Sequence, residues 1–167
     1  MYYCIMTAAD QPPAGIHLEL PDEAATRAFA GRLAGLLRTQ DFVGLGGVLG
    51  AGKTTCVRHM IAALAGREME VPSPSFTLVQ SYDFDRFTLW HFDLYRIETP
   101  EEVFELGFDD ALADGVTLVE WPERLGPLRP ADRLDVTFSQ GPSPDARVAD
   151  IEAHGDWRER LAGLRDD

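Results

Sequence analysis

Gly47, Gly50, Gly52, Lys53 and Thr54 are the residues whose types and spacing most directly imply chemistry. The run Gly47-Val48-Leu49-Gly50-Ala51-Gly52-Lys53-Thr54 fits G-x-x-x-x-G-K-[ST] at every fixed position. Glycines let the backbone take left-handed conformations and approach an anion with no Cβ in the way. The N–H groups of such a loop, including those of Leu49, Ala51 and Thr55, converge on phosphates, and the start of the following helix adds partial positive charge. Lys53 then reaches the β- and γ-phosphates, and the Thr54 hydroxyl is offered to Mg²⁺. Lys53 is the only lysine in the chain; the other 14 basic residues are arginine. A compact ammonium is used here where a planar fork is used everywhere else, and the two are not equivalent.

The loop needs a strand before it and a helix after it. Phe42-Val43-Gly44-Leu45-Gly46 is a short apolar run of strand length. Val57, Met60, Ile61 and Leu64 then recur at i, i+3, i+4 and i+7, one face of a helix. Upstream, Ile16–Leu20 alternates as a strand, and Asp22 caps a helix to about Arg38 with Ala25, Phe29, Leu33, Leu36 and Leu37 as its apolar stripe. Met1–Gly15 reads as a loosely ordered terminus interrupted by Pro12-Pro13, with Tyr2–Met6 as an optional edge strand.

Two acids downstream are candidates for the chemistry. Phe76–Tyr82 and Phe87–Phe92 read as an antiparallel hairpin, and Asp93 stands at its exit. An acid there serves Mg²⁺ or its water shell, or merely caps the turn. Val116–Val119 suits a buried parallel strand and ends at Glu120. A carboxylate at the carboxyl end of a core strand lies where open α/β sheets bind ligands, and can hold Mg²⁺ or orient an attacking water. Trp121 either covers the nucleotide or packs on the sheet, and Pro122 predicts an extended conformation for it. Ser73, Ser75 and Thr77 lie in a proline-stiffened stretch before the hairpin. That stretch is either a switch loop setting Ser75 or Thr77 near the γ-phosphate, or a turn before a strand. His91 reads as packed or hydrogen-bonded, and Cys56 as a small packed residue.

Further along, Thr99-Pro100-Glu101-Glu102 predicts a helix start with a capping box, ending near Gly107, with a short helical turn over 109–113. Leu134–Phe138 and Ala146–Ala153 read as an antiparallel pair around a turn at 140–145, followed by a terminal helix over 156–164 containing Trp157.

Composition bounds the function. The length of 167 residues suits one domain, residues 1–167, with a sizeable core. A hydrophobic share of 45% and charged share of 26% are ordinary for a globular protein. No apolar run is long enough to span a membrane. Met1–Asp10 lacks the charge and apolar run of a secretory signal. The two cysteines, Cys4 and Cys56, form no metal or redox motif, which points to a reducing cytoplasm. A net charge of −13 argues against gripping a phosphate backbone directly, so any RNA is held by another protein.

Five segments in order now carry a resemblance: Gly50-Ala51-Gly52-Lys53-Thr54-Thr55, Ser73–Val79, His91-Phe92-Asp93-Leu94-Tyr95-Arg96, Glu105-Leu106-Gly107 and Leu118–Arg124. Together they resemble the TsaE family of bacterial ATPases, which serve tRNA threonylcarbamoyladenosine biosynthesis, over about residues 16–164. The resemblance implies an α/β chain with a three-layer α/β/α P-loop NTPase fold and a mixed, mostly parallel sheet. It implies ATP and Mg²⁺ as cofactors and slow hydrolysis stimulated by partners, the TsaB- and TsaD-type subunits, with tRNA engaged only indirectly. Carried over by motif, Lys53 and Thr54 serve phosphates and Mg²⁺, and Ser75–Thr77 is the switch loop. Asp93 and Glu120 are the acids near Mg²⁺ and the attacking water, and Trp121 lies beside the nucleotide. The chain departs from the family at Ser75, where threonine is commoner, and at Val48, where an acid is common.

Two other readings compete. A small-molecule P-loop kinase would use Arg124, Arg129 and Arg133 as lid residues. A nucleotide-gated binding module would use hydrolysis only to reset partner affinity. A GTPase is disfavoured because no N-K-x-D-type base-reading motif exists and the one lysine is committed to phosphates.

Overall fold

The structure, a computed structural model, describes residues 13–165. The optional edge strand at Tyr2–Met6 and Cys4 lie outside them. β1 (Ala14–Leu20) begins two residues before the expected start at Ile16 and leads to α1 (Glu23–Leu36). Asp22 caps α1 as expected: its Oδ1 accepts the Ala25 N–H at 2.8 Å, a contact worth about 1 kcal/mol. β2 (Phe42–Gly46) runs into the glycine loop, and α2 (Lys53–Ala65) follows it. β3 (Val79–Asp83) and β4 (Thr88–Asp93) form the hairpin, α3 (Phe108–Asp114) leads to β5 (Val116–Glu120), and β6 (Arg133–Gln140) and β7 (Arg147–His154) form the second antiparallel pair. α4 (Trp157–Arg160) and a 3-10 turn over Leu161–Leu164 make the terminal helix.

The seven strands lie in the order β1-β7-β6-β2-β5-β4-β3. Adjacent pairing is parallel from β6 through β2 and β5 to β4. β1 and β6 are both antiparallel to β7, so only β7 and β3 oppose the common direction. The sheet is mixed and mostly parallel, as expected.

Each face of the sheet is covered. Val43, Leu45, Leu118, Leu134, Val136 and Phe138 pack with α1, α2 and Trp157 in one core cluster. Phe42, Phe92 and Val119 turn to the other face and meet Val103, Phe108, Ala111 and Leu125. Strand alternation makes this division, because successive side chains point to opposite faces. The buried β5 has no exposed residue, which is why it reads as an unbroken apolar run.

Four local expectations are corrected. Pro100–Leu106 is a 3-10 helix, and the capping box does not close: the Thr99 side chain makes no cap bond, while the Glu102 carboxylate accepts the Glu98 N–H at 2.8 Å. Trp121 is not extended but left-handed, at φ 60° and ψ 52°. Proline disfavours the right-handed helical region for Trp121. Its N–H donates to Leu45 O and its carbonyl accepts from Arg124 N–H, so the chain leaves the sheet in a tight turn. An unexpected 3-10 segment, Pro122–Leu128, follows and contributes Leu125 to the second cluster. The hairpin's first strand starts at Val79 rather than Phe76, because Leu78 takes φ 68° and closes a turn onto Pro74 O at 2.7 Å.

Candidate active site

Sheet register brings the two acids together. Asp93 and Glu120 end adjacent parallel strands and are register partners, and Glu120 is paired in turn with Leu45, two residues before the glycine loop. Parallel strands present all their carboxyl ends on one edge, where the loop also emerges. Asp93 and Glu120 are both buried, at 5% and 2% exposure.

The loop is shaped by glycines at two positions that require them. Gly47 has φ 121°, and a Cβ there would run into the Phe138 carbonyl oxygen. Gly52 has φ 113° and forms the N-cap of α2 with no side-chain cap. The first N–H groups of α2 therefore lack a side-chain partner, as an anion site requires. Ala51 packs into the core beneath the loop, while Val48 and Leu49 are exposed.

Lys53 is buried beside the loop. Its Nζ donates to Gly47 O at 2.6 Å and Val48 O at 2.8 Å and lies 4.2 Å from the centre of the Trp121 ring. Burial lowers its pKa below the ordinary lysine value, and Glu120, Glu123 and Asp93 oppose that shift. Thr54 Oγ1 donates to Glu120 Oε1 at 2.7 Å. His91 Nε2 lies 2.9 Å from the same oxygen, fully buried behind it. The neighbouring acid is held separately: Ser75 Oγ donates to Asp93 Oδ2 at 3.2 Å, and the Tyr95 N–H donates to Oδ1 at 3.0 Å. Ser73 and Ser75 hydroxyls are 2.8 Å apart. The Trp121 ring also packs on Tyr95, with centroids 4.8 Å apart.

These groups surround a cleft of about 380 Å³ lined by Leu49, Gly50, Gly52, Lys53, Thr54, Thr55, Ser75, Asp93, Glu120 and Trp121, all singled out in the sequence. Gly47 enters through its carbonyl on Lys53, and Ala51 through the backbone beneath. Thr77 is not brought to the cleft; it is exposed and its Oγ1 accepts from Gln80 Nε2 at 3.1 Å. The Ser75 hydroxyl two residues earlier is the one that reaches Asp93.

Ser73, Tyr95, Arg96 and Arg147 also line the cleft. Tyr95 and Arg96 were legible only as parts of a motif, and Arg147 had no local signal, because it reaches the cleft through the pairing of β7 with β6 and of β6 with β2. Cys56 is fully buried, and burial pushes its thiol up to about 12, so it is a packed residue and not a nucleophile.

The threonylcarbamoyl adenosine biosynthesis protein TsaE family model matches residues 20–148, which include the loop, both acids and Arg147. The chain belongs to the TsaE family. Curated TsaE relatives include that of Rickettsia felis, 44% identical over 72% of this chain and 71% of its own length. That of Haemophilus influenzae is 39% identical over 69% of this chain and 77% of its own. Both carry the description tRNA threonylcarbamoyladenosine biosynthesis protein TsaE. A crystal structure of Bacillus subtilis YdiB superposes with a TM-score of 0.72 at 28% identity, covering 91% of this chain and 94% of that one. Membership assigns this TsaE-family chain to tRNA threonylcarbamoyladenosine biosynthesis, and the loop, sheet order and buried acids describe a P-loop nucleotide site.

Proposed function

We propose that this chain is a Mg²⁺-dependent ATPase working in the cytoplasm, slow alone and stimulated by TsaB- and TsaD-type partners that carry out threonylcarbamoyl transfer to tRNA. The observation that carries the reading is the Thr54–Glu120 hydrogen bond of 2.7 Å at the mouth of the phosphate loop, with Asp93 in register beside it.

The oxygen donors suit a hard cation. Among the described residues the cleft lining offers the hydroxyls of Thr54, Thr55, Ser73 and Ser75 and the carboxylates of Asp93 and Glu120, with no cysteine or histidine, a set that fits Mg²⁺. Thr54, Glu120 and Asp93 would hold it. Bound there, Mg²⁺ would neutralise charge on the terminal phosphates.

The residues divide the remaining work. The N–H groups of Gly50 and of Gly52 to Thr55 bind phosphate oxygens, Ala51 shaping the loop through its N–H bond to Val48 O, and the Lys53 ammonium exchanges its two carbonyl partners for phosphate. Glu120, fixed by Thr54 and His91, accepts the proton of the attacking water or aligns it, and Asp93 supports it. Trp121 covers Lys53 and keeps water from that side. Ser75 couples the 72–78 segment to Asp93 and so makes it a nucleotide-responsive surface for partners. The tRNA is met only through those partners, in keeping with the net charge of −13.

Phosphate release from ATP and Mg²⁺ tests the proposal, alone and with a TsaB–TsaD pair. Slow release alone, stimulation by the pair and loss in Lys53→Ala are expected. Transfer of phosphate to a small metabolite with no partner effect would favour a kinase instead.

A further inference from the structure

Three cations line the cleft, and two of them are already engaged. Lys53 donates to two loop carbonyls. Arg147 Nη1 donates to Pro144 O at 2.7 Å and Ala146 O at 2.8 Å. Arg96 makes no hydrogen bond or ion pair among the described residues. Its guanidinium only lies against the Phe76 ring, with Cζ 4.8 Å from the centroid. Five N–H donors in a planar fork therefore stand unused on the wall of a phosphate cleft.

Sheet order says which part of a nucleotide each arginine meets. The glycine loop leaves β2 at the centre. Arg147 begins β7 and arrives from the β6 side, next to Gly52. Arg96 follows β4 and arrives from the opposite side, three residues after Asp93. Asp93 and Glu120 mark the end of the cleft where the terminal phosphate is attacked. Arg96 shares that end; Arg147 does not.

We infer that Arg96 is a catalytic residue: its guanidinium leaves the Phe76 ring to bind the γ-phosphate of ATP, and the 72–78 segment moves with that exchange. The inference rests on the ATPase reading above. In the hydrolysis step the water oxygen bonds to the γ-phosphorus. The bond from that phosphorus to the β,γ-bridging oxygen breaks, and its electron pair leaves with ADP. The water proton passes to a carboxylate and then to released phosphate. Arg96 neither gains nor loses a proton; it offsets charge on the equatorial oxygens. Phe76 is 83% exposed, so a cation–π contact there is a weak holding interaction that phosphate can displace.

The test measures Mg²⁺-dependent binding of ADP and of a β,γ-imido ATP analogue to wild type, Arg96→Ala, Arg96→Lys and Phe76→Ala. Arg96→Ala is expected to weaken the triphosphate analogue about tenfold or more while changing ADP by less than about threefold. Turnover with partners should fall about 10²-fold or more in Arg96→Ala. Arg96→Lys should recover part of the loss, since charge returns without the fork. Phe76→Ala should keep both affinities but abolish the triphosphate-specific change in protease protection at 72–78. Equal effects of Arg96→Ala on ADP and triphosphate, or none, would overturn the role of Arg96 and leave the ATPase reading standing. Wild type binding neither nucleotide would overturn both.

Discussion

Replacing Glu120 by glutamine and by alanine separates its structural and chemical roles. Glu120 is 2% exposed and ties α2 to β4 through Thr54 at 2.7 Å and His91 at 2.9 Å. Glutamine keeps the size and an acceptor oxygen for Thr54, so its stability should stay within about 1 kcal/mol of wild type. Alanine strips the partner from both groups, at about 1–3 kcal/mol each, partly offset because a carboxylate no longer has to be buried. A net loss of about 2–3 kcal/mol corresponds to a fall in Tm of about 4–12 °C for a domain of this size. Turnover behaves differently. Both variants lose the charge that accepts or steers the water proton, so hydrolysis should drop about 10²–10⁴-fold in each. The assays are thermal unfolding by circular dichroism without nucleotide, and phosphate release with partners. If the two variants melted within about 1 °C of each other, Glu120 would not be the tie between Thr54 and His91. If the glutamine variant hydrolysed ATP at the wild-type rate, Glu120 would have no part in the chemistry.

Lys53→Arg should weaken ATP binding about tenfold or more in a fluorescent-nucleotide assay, because the Gly47 and Val48 carbonyls and the Trp121 face enclose a compact ammonium rather than a planar fork. Arg160 pairs with Asp41 through two nitrogens, at 2.5 and 2.8 Å, and also caps Leu36 O at 2.8 Å. Arg160→Met strands that carboxylate and should cost about 3–5 kcal/mol in urea unfolding, with Asp41→Asn in the same background recovering part of it. The Cys56 thiol ionises near 9.0 when exposed and at about 12 when folded. Between those values the unfolded chain loses a proton that the folded chain keeps, so this group's stabilising contribution falls as pH rises. The loss is about 1.4 kcal/mol per pH unit above 9, and urea unfolding of wild type against Cys56→Ala at two alkaline pH values reads it.

Much of this site was legible because its signals are local. The spacing from Gly47 to Thr54 forces a loop and a helix start, and Asp22 before an apolar stripe forces α1, without reference to the rest of the chain. The acids were legible as residues at strand ends, since β4 and β5 announce themselves as apolar runs. Between Ser75 and Thr77 the sequence made no choice, because hydroxyl residues near a phosphate loop look alike, and in the fold Ser75 lines the cleft while the exposed Thr77 hydroxyl bonds Gln80. Trp121 misled because proline restricts its neighbour without choosing between the two remaining regions, and the bond to Leu45 O chooses. The capping box at Thr99 lost to a 3-10 geometry in which Glu102 reaches one residue further back.

The sequence by itself determined the phosphate loop, its lysine and threonine, the order of strands and helices along the chain, and a family whose work is tRNA modification. Local sterics and periodicity act within a few residues, so they are written in adjacent letters. The tertiary structure alone decided that Asp93 and Glu120 stand side by side and that His91 backs the second of them. It alone brought Arg96 and Arg147 into one cleft from strands on opposite sides of β2. Those facts follow from parallel register and strand order, which are fixed by packing two apolar faces of a sheet at once, and no single stretch of the chain carries that information.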